Sequence, residues 1–125
     1  MITQPVSGTD STTTVQDLRA IIGQFVAERD WQKFHDIKNL SMSLAIEAAE
    51  LMEHSQWLTT AQAQQQESLE LSEVAEELAD VLSYTLAIAN VLQIDLSSTL
   101  QRKMIKNLQK YPVGAPNTEL GKPTK

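Results

Sequence analysis

Apolar residues recur along this chain at intervals of three and four, the spacing of one face of an α-helix. A first helix shows Val15, Leu18, Ile21, Ile22, Phe25 and Val26. A second shows Leu40, Leu44, Ala48 and Leu51, with Asn39 placed to cap its start. A third carries Leu71, Val74, Leu78, Val81, Leu82, Thr85, Ile88, Ala89 and Leu92 with no breaker inside it. A fourth starts after Asp95, a good N-cap residue, and carries Leu96, Leu100, Met104, Ile105 and Leu108. Thr59 to Gln66 (TTAQAQQQ) is polar, lacks apolar period and reads as the loop between the second and third helices. Arg29 to Lys38 is a second connector, holding Trp31, Phe34 and His35 among charged residues. No strand pattern or internal repeat stands out. The expected architecture is all-α, a bundle of about four helices.

The ends differ from the middle. Residues 1–13 are rich in Ser and Thr, with Pro5 and Gly8, and read as a mobile tail. Pro112 to Lys125 holds three prolines and two glycines and reads the same way. The helical domain is thus expected over residues 14–111, and 125 residues suffice for one domain with one core. The start of the chain has neither the basic nor the apolar region of a secretory signal. No apolar run approaches the ~20 residues needed to cross a bilayer. There is no cysteine, so disulfides and thiolate metal sites are excluded. The formal net charge of −6 argues against nonspecific binding to nucleic acid or anionic membrane. A cytoplasmic protein is the expectation.

Charge is distributed unevenly. Between Asn39 and Gln101 there is no lysine or arginine, yet that stretch carries ten Asp and Glu residues. Four of them form two helix-spaced pairs, Glu47-Ala48-Ala49-Glu50 and Glu77-Leu78-Ala79-Asp80. Residues i and i+3 are neighbours on one helix face, so each pair is a carboxylate patch with no basic side chain in its own segment. Like charges that close destabilise a fold unless something cationic sits between them. At about 100° per residue, Glu47 falls within roughly 50° of the centre of the Leu40/Leu44/Leu51 stripe, which places it partly in the interior. Glu50 lies beside it. Glu77 and Asp80 flank the apolar stripe of the third helix, and Tyr84 continues their line. Glu76 points nearly opposite the core, and Glu67, Glu70, Glu73 and Glu76 read as a solvated face.

Four oxygen-ligand residues without His or Cys suit Mg²⁺ or Mn²⁺ rather than zinc. Spacing alone leaves a metal site and an acidic surface equally open. A di-iron carboxylate bundle needs Glu-x-x-His motifs. His54 follows Glu50 at four residues, and the third helix has no histidine, which disfavours that reading.

The fourth helix is the electrostatic complement, with Arg102, Lys103, Lys106 and Lys110 and no acid among them. Lys103, Asn107 and Tyr111 recur at i, i+4 and i+8 as one polar line. That line is either a solvated basic face or a set of donors for phosphate oxygens. Of six aromatic residues, Trp31, Phe34 and Trp57 lie in or beside connectors. They either close the ends of the bundle or offer stacking for a base, worth ~1–3 kcal/mol per base.

Taken in order, Glu47-x-x-Glu50 and Glu77-x-x-Asp80 resemble the motif of the MazG-like all-α NTP pyrophosphohydrolases. The blocks Phe25–Trp57, Glu76–Tyr84 and Lys103–Pro112 are similar to the dCTP pyrophosphatase branch of that superfamily, and the resemblance covers roughly residues 15–112. It implies a MazG-like helical subunit assembled as a homodimer or tetramer, with neighbouring subunits helping to build each site. It implies Mg²⁺-dependent hydrolysis of a nucleoside triphosphate to monophosphate and pyrophosphate, with Mn²⁺ a possible substitute. Glu47, Glu50, Glu77 and Asp80 would then be the metal ligands and catalytic carboxylates, with Glu50 preferred to orient the attacking water. Trp31, His35 and Trp57 would lie around base and sugar; Tyr84, Lys103, Asn107 and Tyr111 would contact phosphates or sugar. The favoured substrate is dCTP or a modified dCTP. Alternatives are dUTP, other nucleoside triphosphates or phosphoribosyl-ATP on the same fold, or a non-enzymatic helical oligomerisation or adaptor module.

Overall fold

The computed structural model describes residues 6–66 and 68–114. Among these residues all regular structure is helical. In order come α1 (Val15–Glu28), a single 3₁₀ turn (Gln32–Phe34), α2 (Ile37–Glu53), α3 (Thr60–Gln64), α4 (Leu71–Leu92) and α5 (Leu96–Lys110). The four long helices α1, α2, α4 and α5 correspond to the four apolar stripes of the sequence. Glu67 and the outermost parts of both expected tails, residues 1–5 and 115–125, lie outside the described residues.

Short-range chemistry sets each boundary. The Thr14 hydroxyl accepts from the Asp17 amide, and the Asp17 carboxylate accepts from the Thr14 amide, a reciprocal capping box that starts α1. Asp36 starts α2, its carboxylate accepting from the Asn39 amide at 2.8 Å. The cap expected at Asn39 therefore falls three residues earlier. Asn39 serves the turn instead, donating from Nδ2 to the Phe34 carbonyl at 3.1 Å and to Asp36 at 3.1 Å. The segment expected to be loop, Thr59 to Gln66, contains the five-residue α3. A second capping box, Thr59 with Gln62, forms that helix without any apolar period. Asp95 caps α5 as expected, accepting from the Ser98 amide at 3.0 Å.

The chain forms two compact units, one running to Gln93 and the second beginning at Ile94. In the first, α4 packs against α2 and, over a shorter stretch, against α1. Among the described residues its buried apolar side chains are Val26 of α1, Leu40 of α2, and Leu86, Ala87 and Ala89 of α4. A polar clamp joins α1 to the C-terminal half of α4. Arg19 donates to Asn90 Oδ1 at 3.0 Å and to the Ala89 carbonyl at 2.9 Å, and Asn90 Nδ2 donates back to the Arg19 carbonyl at 3.1 Å.

The inward face of α4 differs from the stripe read in the sequence. Leu78 and Leu82 are exposed, whereas Leu86 and Ala87 are buried and Glu77 and Tyr84 are half-buried. This helix is apolar around most of its circumference, and α1 and α2 cover only part of it. In the second unit, α5 keeps its apolar stripe exposed along Leu100, Met104, Ile105 and Leu108.

Candidate functional site

Where α2 and α4 lie together, three of the four acids singled out by their spacing converge. Glu47, Glu77 and Asp80 each offer a carboxylate oxygen, and those oxygens lie within 4.8 Å of one another. Glu47 and Glu77 are half-buried and Asp80 is exposed. The Oε2 atoms of Glu47 and Glu77 are fully buried and have no hydrogen-bond partner. Two orphaned carboxylate oxygens facing a third acid are costly for a fold, because burial without a partner penalises a polar atom and like charges repel. A hard divalent cation would satisfy all three at once, since such ions take oxygen ligands.

The titration of the cluster follows from this crowding. Burial pushes the Glu47 carboxyl up to about 7, and Glu50 adds to the shift by bonding to it and by its charge. Glu77 is also pushed up, first by burial and then by the charge of Glu50. Glu50, half-buried one turn beyond Glu47, does not join the close group of three, but it bears electrostatically on two of its members. Glu76 is exposed, as its helix position predicts. His54, the C-cap of α2, sets its Nε2 4.0 Å from Glu77 Oε1.

Asp80 also lines a cleft of about 440 Å³ between α1 and α4. Trp31, His35 and Tyr84 line the same cleft, so one acid and three residues proposed for the base, sugar or phosphates meet there. Ile21, Ile22, Phe25, Val26, Ser83 and Ala87 supply the rest of its wall. Of these, Phe25 and Ser83 lie inside blocks that carry the family resemblance, but the sequence singles out neither as a site residue. Trp31 meets Phe25 edge to face, with ring centroids 5.7 Å apart at 74°. The Arg29 guanidinium sits 3.6 Å above the centre of the Phe25 ring and donates to the Phe25 carbonyl at 3.0 Å. These contacts hold the Trp31 ring at the end of α1 while leaving it 43% exposed. A neighbouring hollow of about 250 Å³ shares Ile22, Val26, His35 and Ala87 with the cleft and adds the polar groups of Gln32 and Asn90.

The remaining residues predicted for the site do not line the cleft. Trp57 follows α2 and is 87% exposed. Lys103, Asn107 and Tyr111 belong to the second unit, on α5 and at its C-cap. There Asn107 and Tyr111 are half-buried, and the Lys110 ammonium lies 5.4 Å from the centre of the Tyr111 ring.

The MazG-like family model matches residues 42–120, more than half of the chain and including both acidic pairs. The chain belongs to the MazG-like family. Its similarity runs to the dCTP pyrophosphatase branch. It is 40% identical over 102 residues to dCTP pyrophosphatase 1 of Rattus norvegicus, covering 80% of this chain and 60% of the relative. To the Homo sapiens protein of the same name it is 39% identical over 101 residues, covering 79% of this chain and 59% of the relative. The chain thus spans about 60% of the length of the curated relatives it matches. Among solved structures, a pyrophosphatase from Archaeoglobus fulgidus is 37% identical, with a TM-score of 0.73. That match covers 87% of this chain and 99% of the other. Among the described residues no helix is long and apolar enough to cross a membrane.

Proposed function

We propose that this chain is a Mg²⁺-dependent nucleoside triphosphate pyrophosphohydrolase, cleaving a dNTP, with dCTP or a modified dCTP favoured, to dNMP and pyrophosphate. The observation that carries the reading is the meeting of Glu47, Glu77 and Asp80, two of them with buried oxygens that lack any partner, at the edge of an aromatic-lined cleft. The names of the relatives point the same way.

In this reading Glu47, Glu77 and Asp80 hold the ion, with Glu50 as the fourth carboxylate at its margin. Bound there, Mg²⁺ (or Mn²⁺ in its place) would screen the triphosphate from the acids, polarise a phosphoryl oxygen and lower the pKa of a bound water. Glu50, outside the close group of three, orients the attacking water and accepts its proton. Trp31 offers a stacking face for the base, and His35 and Tyr84 offer hydrogen bonds within the same cleft. Trp57 borders the base and sugar, and Lys103, Asn107 and Tyr111 donate to phosphate and sugar oxygens, as their positions in the family motif imply. Residues 14–111 form the catalytic domain, in a cytoplasmic protein.

A homo-oligomer, dimer or tetramer, fits the exposed apolar side chains of α2 and α4, among them Met42, Ile46, Leu78 and Leu82. A single chain rarely leaves so much apolar surface in water without a partner for it.

The test is a product-resolved hydrolysis screen of the common dNTPs and NTPs, with Mg²⁺ and with chelator. Monophosphate and pyrophosphate released only with metal, and fastest from dCTP or its modified forms, is the expected result. Release of orthophosphate, or no turnover of any nucleotide, would remove the proposal.

A further inference from the structure

His54 stands at the C-terminal end of α2, one helical turn beyond Glu50, with helical backbone angles (φ −65°, ψ −20°). Its Nε2 faces Glu77 Oε1 at 4.0 Å, and the two side chains are 23% and 24% exposed. The two oxygens of Glu77 therefore have unlike surroundings. Oε1 looks at a ring nitrogen, whereas Oε2 is buried and meets no donor. The other side chains crowding Glu77 are the carboxylates of Glu47, Glu50 and Asp80. When ionised these can only accept hydrogen bonds.

We propose that His54 is a positioning residue for Glu77. At 4.0 Å its Nε2 and Glu77 Oε1 are in polar contact without a formed hydrogen bond. Nε2–H closes on Oε1 as the cluster takes up its ion, leaving Oε2 as the ligating atom. This inference rests on the metal reading of that cluster. The physical need is clear. The last torsion of a glutamate is broad and roughly two-fold, so a lone carboxylate spreads its two oxygens over many orientations. A donor standing beside one oxygen narrows that freedom. Hydrogen bonds to ligating carboxylates from outside the ligand set typically change metal affinity by 10–100-fold.

The test is a Mn²⁺ titration of the metal-free chain, followed by the paramagnetic resonance signal of free Mn²⁺. It compares the unaltered chain with His54→Leu, which fills the space without a donor, and His54→Gln, whose amide keeps one. His54→Leu is expected to weaken Mn²⁺ binding about tenfold, with His54→Gln within about threefold of the unaltered chain. Metal-free melting temperatures read alongside check that the fold is equal in all three, and His54→Ala gives the same comparison should leucine disturb the helix end. Binding by His54→Leu within about twofold of the unaltered chain would overturn the proposal. Equal weakening in His54→Leu and His54→Gln would do the same, because ring shape rather than donation would then be at work. A failure of the unaltered chain to bind Mn²⁺ would overturn the metal reading itself, and the positioning role with it.

Discussion

Glu47 owes its chemistry to where one turn of helix leaves it. Its carboxyl rises to about 7 from an ordinary value of 4.5 because burial and neighbouring acids disfavour its charge. In that window the folded chain binds a proton that the unfolded chain releases, so folding stability falls as pH climbs from about 4.5 to about 7. A cation competes with the same proton, so metal affinity must rise over the same window and level off above it. Melting the metal-free chain between pH 5 and 8, with Mn²⁺ titrations at each pH, checks both trends. A metal-free fold that gains stability across that range would contradict the assignment. Glu47→Gln and Glu77→Ala are each expected to remove Mn²⁺ binding and to cut turnover by ~10²-fold or more. Circular dichroism should show the helices intact in both. Glu47→Gln should also raise the melting temperature of the metal-free chain at pH 8, because it relieves repulsion. The places of Glu47 and Glu77 were legible in the sequence, since helical angle alone sets them near the apolar stripes while Glu76 points away. The contact between His54 and Glu77 was not. It joins two helices, and no local pattern encodes their register.

Helix starts carry much of the local stability. Asp36 caps α2, and its carboxylate and Asn39 together tie the start of the helix to the 3₁₀ turn that carries Phe34. Asp36→Ala is therefore expected to lower unfolding free energy by ~1 kcal/mol, measured by urea denaturation. A change under a few tenths would show that the cap contributes little. The apolar stripe alone points to Asn39 as the cap, whereas Asp36, inside the expected connector, is the residue that caps the helix. The extra turn forms because Asn39 can bond backward to the Phe34 carbonyl, a contact outside any helical period. The small helix α3 likewise has no apolar stripe, since two capping residues rather than an apolar face define it. On α4 the helix itself was plain but its inward face was not. A helix apolar on most sides leaves that choice to its neighbours.

Among the described residues, exposed large apolar side chains outnumber the buried ones. Ile46 and Leu78, 58% and 56% exposed, stand on α2 and α4. If a second copy covers them, Ile46→Glu and Leu78→Glu will each shift the chain toward the monomer. Light scattering after gel filtration reads the mass directly, and an unaltered chain that already runs as a monomer would remove the oligomer. The same α4 joins the carboxylate cluster to the aromatic-lined cleft. It carries Glu77, Asp80, Tyr84 and, near its end, Asn90, with no break over 22 residues. An unbroken helix has a fixed pitch, about 1.5 Å and 100° per residue. The segment between Glu77 and Tyr84 can therefore accept many exchanges of one side chain for another but no change in length. One residue added or lost there would swing Tyr84 about 100° around the axis relative to the acids, and the cleft would lose its register with the cluster in a single step.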